Sequence, residues 1–160
     1  MSCKLEYLSK DEQQTILLAQ KISGCLNKGD ILCLFGDLGS GKTTFVKGLA
    51  KGLKVKDEPV SSPTFVLMNS YQGRLPIYHF DLYRLNDSAA ILNIGIEEFF
   101  YGDGVAVIEW AERLKELMPK EFLSITLEHR SLQERLILIG SSGKRFESVI
   151  EKISADIKKI

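Results

Sequence analysis

The 160-residue sequence lacks the features that several functional classes require. Its three cysteines form no Cys-x-x-Cys pair, and an odd number at these spacings predicts no disulfide framework. Cys33 lies in the apolar run Ile31–Phe35, so we interpret it as a core residue. Lys+Arg and Asp+Glu both number 21. This zero formal charge argues against a protein that binds DNA or RNA by itself, because such binding needs many basic contacts to phosphates.

Long apolar segments are also missing. The longest apolar runs are far shorter than the roughly 20 residues of a membrane-spanning helix. Residues 1–10 carry polar side chains throughout, unlike a signal peptide. We therefore expect a cytoplasmic protein with no membrane partner. Hydrophobic residues make up 44% of the chain, which is enough for a core, and the length suits one domain over residues 1–160.

Strand and helix patterns alternate along the chain. Strands are predicted over 3–8, 31–35, 105–109, 122–128 and 136–139, with a hairpin over 65–71 and 75–82. Helices are predicted over 11–26, 44–53, 88–100 (interrupted at Gly95), 111–118 and 147–160. Ser9 is predicted to cap the first helix, with Glu12 completing a capping box. The alternation predicts an α/β domain built on a mixed sheet.

The segment Gly36–Thr44 reads G-D-L-G-S-G-K-T-T and fits the P-loop pattern G-x-x-x-x-G-K-[ST]. It lies between a predicted strand and a predicted helix, which is the context that the motif requires. Its glycines allow backbone conformations in which N–H groups converge on an anion, and the following helix adds its positive N-terminal end. The predicted nucleotide-binding residues are Gly36, Asp37, Leu38, Gly39, Ser40, Gly41, Lys42, Thr43 and Thr44.

Within this loop, Lys42 is expected to reach the outer phosphates and the Thr43 hydroxyl to bind Mg²⁺. A P-loop site also needs an acidic residue near the metal, usually at the end of a neighbouring strand. Asp81 in I-Y-H-F-D-L-Y-R is one candidate, since a buried carboxylate is costly unless it meets a cation. Alternatively, Asp81 caps a turn or pairs with Arg84.

Glu109 is the second acidic candidate, because it ends the apolar run V-A-V-I-E. It either binds the metal or orients the attacking water, and the alternative is a surface glutamate at the end of a strand. A third element is S-S-P-T-F, in which Pro63 forces Ser62 into an extended conformation. Thr64 can then offer its hydroxyl to a terminal phosphate, although S-P-T is also an ordinary turn.

Four motifs in order, G-D-L-G-S-G-K-T-T-F, S-S-P-T-F, Y-H-F-D-L-Y-R-L and V-I-E-W-A-E, closely resemble the TsaE (YjeE) family of bacterial P-loop ATPases. The resemblance spans Gly36 to Glu112, about half the chain. It implies a single P-loop NTPase domain with a central parallel sheet, antiparallel edge strands and helices on both faces.

The same resemblance implies a function. The family acts in making threonylcarbamoyladenosine beside the anticodon of tRNA, and its members bind and slowly hydrolyse ATP with Mg²⁺ in a complex with the TsaD and TsaB proteins. Contact with tRNA would then be indirect, through the complex. Carried onto this chain, the catalytic residues would be Lys42, Thr64, Asp81 and Glu109. The metal ligands would be Thr43, Asp81 and Glu109.

Three other interpretations remain open. A small-molecule kinase would use the same loop with a lid that carries Arg130 or Arg135. A GTPase is suggested by N-K-G-D at 27–30, but this match precedes the P-loop and is more simply a turn. Finally, the protein could be a nucleotide-dependent interaction module whose hydrolysis is incidental.

Overall fold

The computed structural model describes residues 2–56 and 59–158, and these residues form a mixed sheet of seven strands. The strands are β1 (Ser2–Ser9), β2 (Ile31–Phe35), β3 (Met68–Tyr71), β4 (Ile77–Asp81), β5 (Val105–Glu109), β6 (Phe122–His129) and β7 (Arg135–Ser142). The α-helices are α1 (Glu12–Ser23), α2 (Lys42–Gly52), α3 (Ser88–Asn93) and α4 (Lys144–Ile157). Two 3₁₀ helices span Ile96–Phe99 and Ala111–Leu117.

The strand order across the sheet is β1-β7-β6-β2-β5-β4-β3. The four central strands, β6, β2, β5 and β4, run parallel to one another. β3 pairs antiparallel with β4 at one edge, while β7 and β1 extend the other edge antiparallel. The predicted fold class, a central parallel sheet with antiparallel edge strands, is therefore confirmed.

Helices cover both faces of the sheet, because the central strands are apolar on both sides. In β2, Leu32 and Leu34 belong to one core cluster with α1, α2 and α4. Ile31 and Cys33 point the other way, into a cluster with α3 and the 3₁₀ helices. Cys33 is fully buried, so its interpretation as a core residue is confirmed, and this burial raises the pKa of its thiol well above the usual range.

The helix that follows the P-loop is fixed by close packing on α1. A Cβ added at Gly48 of α2 would lie 2.6 Å from the Cβ of Ala19 and 2.6 Å from the carbonyl oxygen of Ile16. Real Cβ atoms do not approach other atoms this closely, so glycine is needed where the two helices touch. This contact sets the position of α2, and with it the direction in which its N-terminus points.

Several predicted boundaries shift in the structure. The first hairpin strand begins at Met68 rather than residue 65, since 64–66 form a turn that leaves Phe65 and Val66 exposed. The helix after the P-loop begins at Lys42 rather than Thr44, directly after the left-handed Gly41. The terminal helix begins earlier, at Lys144, and residues 159–160 of its predicted span lie outside the described residues.

The predicted cap of the first helix was wrong. Ser9 is the last residue of β1, and its hydroxyl donates to the carbonyl oxygen of Asp11 at 2.7 Å instead of capping the helix. Asp11 is the N-cap, and its carboxylate accepts a hydrogen bond from the Gln14 amide at 2.8 Å. The Gln14 side chain in turn accepts from the Lys10 amide at 2.8 Å. A reciprocal pair resembling a capping box is present, two residues further along the chain than expected.

Candidate active site

The loop 36–41 joins the end of β2 to the start of α2, and three of its glycines have positive φ angles. Gly36, Gly39 and Gly41 have φ angles of 144°, 77° and 105°. A Cβ at Gly36 would also lie 2.5 Å from the Ser40 hydroxyl and 2.6 Å from the carbonyl oxygen of Leu127. Both the conformation and the space therefore demand glycine, as expected for a loop whose N–H groups line an anion cradle.

Lys42, the first residue of α2, is buried and folds back over the loop. Its ammonium group donates to the carbonyl oxygens of Gly36 and of Asp37, the latter at 3.0 Å. The same group lies 4.2 Å from the centre of the Trp110 ring, in a cation–π contact. Burial lowers the pKa of Lys42, and the nearby carboxylates, led by Glu109, act in the opposite direction. The site thus contains a partly desolvated cation close to acidic groups.

The two predicted acids lie side by side. β4 and β5 are parallel neighbours, and their register pairs Asp81 with Glu109 at their C-terminal ends. Both side chains are buried, so the alternative of a surface glutamate at position 109 is wrong. The Thr43 hydroxyl, from the start of α2, donates to Oε1 of Glu109 at 2.9 Å. The structure therefore brings together all three predicted metal ligands. Two carboxylates and a hydroxyl are oxygen donors of the kind that Mg²⁺ prefers.

Asp81 holds the S-S-P-T-F segment against the site. Its Oδ2 accepts hydrogen bonds from the hydroxyls of Ser62 and Thr64, the latter at 3.0 Å. Its Oδ1 accepts from the Tyr83 amide at 2.9 Å, so Asp81 also caps the following turn. Arg84 does not pair with it and instead lies over the Phe65 ring, at 4.7 Å from the ring centre. Asp81 thus both caps a turn, as one of the alternatives predicted, and takes part in the site.

Ser62 was not among the predicted site residues. The sequence did contain a signal for it. Pro63 forces Ser62 into an extended conformation, and in extended backbone the side chains of residues two positions apart, here Ser62 and Thr64, lie on the same side of the chain. His79 was also missed as a site residue. It is fully buried, and its Nε2 lies 2.8 Å from Oε2 of Glu109. Its position two residues before Asp81 puts both side chains on one face of β4.

Two adjoining cavities open beside the loop. The first, of about 370 Å³, contains most of the predicted site residues together with Ser62, Tyr83 and Trp110. It is lined by Leu38, Gly39, Gly41, Lys42, Thr43, Thr44, Ser62, Thr64, Asp81, Tyr83, Glu109 and Trp110. Gly36, Asp37 and Ser40 are absent from its lining. The first two support Lys42 through their carbonyls, and the buried Ser40 hydroxyl has no hydrogen-bond partner among the described residues.

The second cavity, of about 550 Å³, shares Gly39, Gly41 and Thr44 with the first. Its other walls are the start of α1 and the turn between β6 and β7. These added lining residues are Asp11, Glu12, Gln13, Thr15, Ile16, Leu132, Gln133 and Arg135. The two cavities therefore adjoin at the glycine-rich loop, with the buried acids in the first and the start of α1 in the second.

The N-K-G-D stretch lies elsewhere. It precedes β2, at the opposite end of the strand from the glycine-rich loop. Asp30 accepts a hydrogen bond from the Asn27 amide at 2.8 Å and forms an ion pair with Arg145 at 2.8 Å. These residues make a turn that is tied to α4, so the resemblance to a guanine-reading motif is only local.

The sheet order and the strand–loop–helix unit define a mixed α/β domain whose central strands are parallel, with a glycine-rich loop and two buried acids at the C-terminal ends of those strands. None of the helices in the described part of the chain has both the length and the hydropathy of a membrane span. Residues 9–137 match the family model of the threonylcarbamoyl adenosine biosynthesis protein TsaE. The chain belongs to the TsaE family, and its role lies in tRNA threonylcarbamoyladenosine biosynthesis.

Individual relatives agree with this assignment. The chain is 38% identical over 152 residues to the tRNA threonylcarbamoyladenosine biosynthesis protein TsaE of Bacillus subtilis, covering 94% of each chain. It is 44% identical over 112 residues to the protein of the same name from Aquifex aeolicus, covering 69% of this chain and 79% of that one. The crystal structure of Bacillus subtilis YdiB superposes with a TM-score of 0.81 at 34% identity, covering 98% of both chains.

Proposed function

We propose that the protein binds Mg-ATP in the two adjoining cavities and hydrolyses it slowly in the service of tRNA modification. The observation that carries this proposal is the convergence of Lys42, Thr43, Asp81 and Glu109 on one cavity at the C-terminal ends of β2, β5 and β4. A cation, a hydroxyl and two carboxylates at a glycine-rich loop form the set that phosphoryl transfer to water needs.

The phosphates are proposed to lie against the loop. The N-terminus of α2, which follows the glycine-rich loop, favours negative charge, and Lys42 adds a full positive charge at the cavity wall. Because Lys42 is already held by two loop carbonyls, little side-chain entropy is lost when it contacts a phosphate.

Mg²⁺ is proposed to lie near Thr43, Glu109 and Asp81. When bound, the ion would neutralise charge on the phosphate oxygens. Of the two acids, Glu109 is proposed to be the metal ligand, because it contacts Thr43 directly. Asp81 contacts the Thr64 hydroxyl and is proposed to orient the attacking water, with Thr64 sensing the outer phosphate. Asp81 must then release its hydrogen bonds to Ser62 and Thr64, so those residues would respond to what is bound.

The nucleoside is proposed to occupy the second cavity. Thr15 and Ile16 come from α1 and Leu132 from the β6–β7 turn, and together they provide apolar surface and polar atoms beside the loop. Small-molecule sites typically combine apolar walls with a few polar groups in this way. The direct test is calorimetric titration with Mg-ATP. Micromolar or tighter binding would support the proposal, and no measurable binding at millimolar ATP would contradict it.

The contacts of Arg130 and Arg135 do not favour a kinase lid. Arg130 is exposed and pairs with Glu128 at 3.5 Å. Arg135 donates to backbone carbonyls of the loop and of its own turn. Both guanidiniums are thus engaged away from the buried acids, beside which a transferred phosphoryl group would have to lie. We therefore propose that water is the acceptor.

His79 is expected to set the strength of metal binding through Glu109. Since its Nε2 holds Oε2 of Glu109, loss of this contact should misorient the carboxylate. His79→Leu is expected to raise the Mg²⁺ concentration for half-maximal turnover about tenfold or more. His79→Gln retains a donor near the position of Nε2 and should recover most of the activity. Equal Mg²⁺ dependence in the two variants, measured by phosphate release, would contradict this role.

TsaD and TsaB are the proposed partners, in the cytoplasm, and tRNA is proposed to be reached only through the complex. Phe65 and Val66, at 82% and 68% exposure, lie in the segment between Thr64 and β3, next to the phosphate cavity. Exposed apolar side chains of this kind favour a protein contact. A partner that docks on them would contact the same segment that Asp81 holds, so docking and ATP turnover would be coupled.

Phe65→Ser is therefore expected to weaken assembly and leave ATP binding by the free protein unchanged. Loss of one apolar anchor should raise the dissociation constant of the complex about tenfold or more. Tyr101→Ser is the matched control, because Tyr101 is an exposed aromatic residue beside Gly29, at the opposite end of β2. Equal assembly by both variants, measured by size-exclusion chromatography and calorimetry, would exclude this face.

A further inference from the structure

We propose that Arg135 is a positioning residue that joins the β6–β7 turn to the glycine-rich loop, so that the nucleoside and phosphate halves of the site form as one unit. This inference deepens the proposed function and rests on it for the identity of the ligand. The contact itself is between parts of the chain far apart in sequence, since Arg135 lies 95 residues from Ser40.

The hydrogen bonds of Arg135 divide between the two elements. Towards the loop, its Nε donates to the carbonyl oxygen of Ser40 at 3.0 Å and its Nη2 to that of Gly39 at 3.4 Å. Towards its own turn, Nη1 lies within 3.0–3.2 Å of three carbonyl oxygens, those of Ser131, Leu132 and Glu134. One planar guanidinium thus holds both elements at once.

The consequence for the loop follows from peptide geometry. A carbonyl and the N–H of the next residue belong to one peptide plane and point in opposite directions. When Arg135 holds the carbonyls of Gly39 and Ser40, it fixes the peptide planes that carry the N–H groups of Ser40 and Gly41. The Ser40 N–H donates to the carbonyl oxygen of Asp37 at 3.0 Å within the loop, so the Gly41 N–H is the member of this pair that a P-loop can offer to phosphate. Arg135 therefore fixes one donor of the cradle, the Gly41 N–H, before any ligand arrives.

The consequence for the turn is equally specific. Leu132 is 91% exposed and Gln133 is exposed as well, so side-chain packing does little to hold the turn. Both residues line the second cavity, as does Arg135 itself. With the guanidinium in place, the outer wall of that cavity has a fixed position relative to the loop. Lysine cannot replace it, because a point-like ammonium lacks the planar fork that reaches several carbonyls.

The test is hydrogen exchange of the free protein, followed by ATP titration, for Arg135→Gln, Arg135→Lys and the matched control Arg130→Gln. Arg130 lies on the same turn but is exposed, and its ion-pair partner Glu128 lies outside the loop. We expect faster exchange in both 36–44 and 130–135 for the two Arg135 variants and no change for the control. For the two Arg135 variants we also expect about tenfold weaker ATP binding, while their rate of ATP turnover at saturating ATP stays within about twofold of that of wild type.

Three results would overturn the inference. Unchanged exchange in 36–44 would show that Arg135 does not hold the loop, whatever happens to ATP binding. Faster exchange in the turn alone would lead to the same conclusion. Faster exchange throughout the chain, with a lower melting temperature, would assign Arg135 a general structural role. Because exchange is measured without ligand, the result stands even if the wild-type protein binds no ATP, which would refute only the proposed function.

Discussion

Lys42→Ala is expected to abolish most ATP binding and nearly all ATP turnover. The lysine lines the cavity in which the phosphates are proposed to lie, and it is already positioned by the carbonyls of Gly36 and Asp37. Loss of a charged hydrogen bond costs about 1.5–3 kcal/mol, so ATP affinity should fall roughly 10–100-fold. Turnover at saturating ATP should fall by a further factor on the order of 100.

Calorimetry and phosphate release measure these two losses separately. Lys47→Ala is the matched control, because Lys47 is an exposed lysine further along the same helix. It removes the same charge from the protein and should leave both quantities unchanged. If Lys42→Ala retains ATP affinity within about threefold of wild type, Lys42 does not bind the phosphates.

Asp81→Asn is expected to separate catalysis from binding. The asparagine keeps the size of the side chain and an oxygen that can accept from the Tyr83 amide, so the turn after β4 should persist. It loses the negative charge that is proposed to orient water beside the metal. Turnover should fall on the order of 100-fold, while ATP affinity changes only a few-fold, because the main phosphate contacts remain.

A suitable control is Asp87→Asn. Asp87 is the N-cap of α3, where it accepts from the Ala90 amide at 2.8 Å, and asparagine serves as well as aspartate in that position. This variant should match wild type in both assays. Equal losses of affinity and turnover in Asp81→Asn would mean that Asp81 acts in binding, and its proposed role towards water would be wrong.

Much of the fold could be predicted because the signals were local and strong. Every residue of the run Ile31–Phe35 is apolar, and this pattern over five residues is typical of a strand that is covered on both faces. Gly95, with a φ of 74°, interrupts the helical pattern after α3 as expected. The P-loop motif requires a strand before it and a helix after it, so it fixed the local order of elements.

The shifted boundaries have tertiary causes. Phe65 and Val66 have strong β-propensity, but the chain turns there, and Asp81 holds the preceding Ser62 and Thr64. The cap of α1 is Asp11 rather than the predicted Ser9, because Ser9 still pairs with β7 as part of β1. In each case a contact with a distant segment overrode a local preference.

The candidate site was predictable to the extent that its residues belong to motifs. Lys42, Thr43, Asp81 and Glu109 were predicted from spacing and resemblance, and the fold brings them to one cavity. His79 and Arg135 are proposed to act through other groups, Glu109 and the glycine-rich loop. Their roles depend on the register of β4 with β5 and on a hairpin that returns to the loop. Such pairings cannot be read from one sequence.

The most direct measurement is phosphate release from ATP by the purified protein with Mg²⁺, first alone and then with TsaD and TsaB added, using Lys42→Ala as the blank. We expect slow turnover by the free protein and a clear rise on assembly, both absent in the variant. A turnover rate that TsaD and TsaB leave unchanged, but that rises when a mixture of small-molecule acceptors is added, would contradict an ATPase that serves tRNA modification and would favour a kinase.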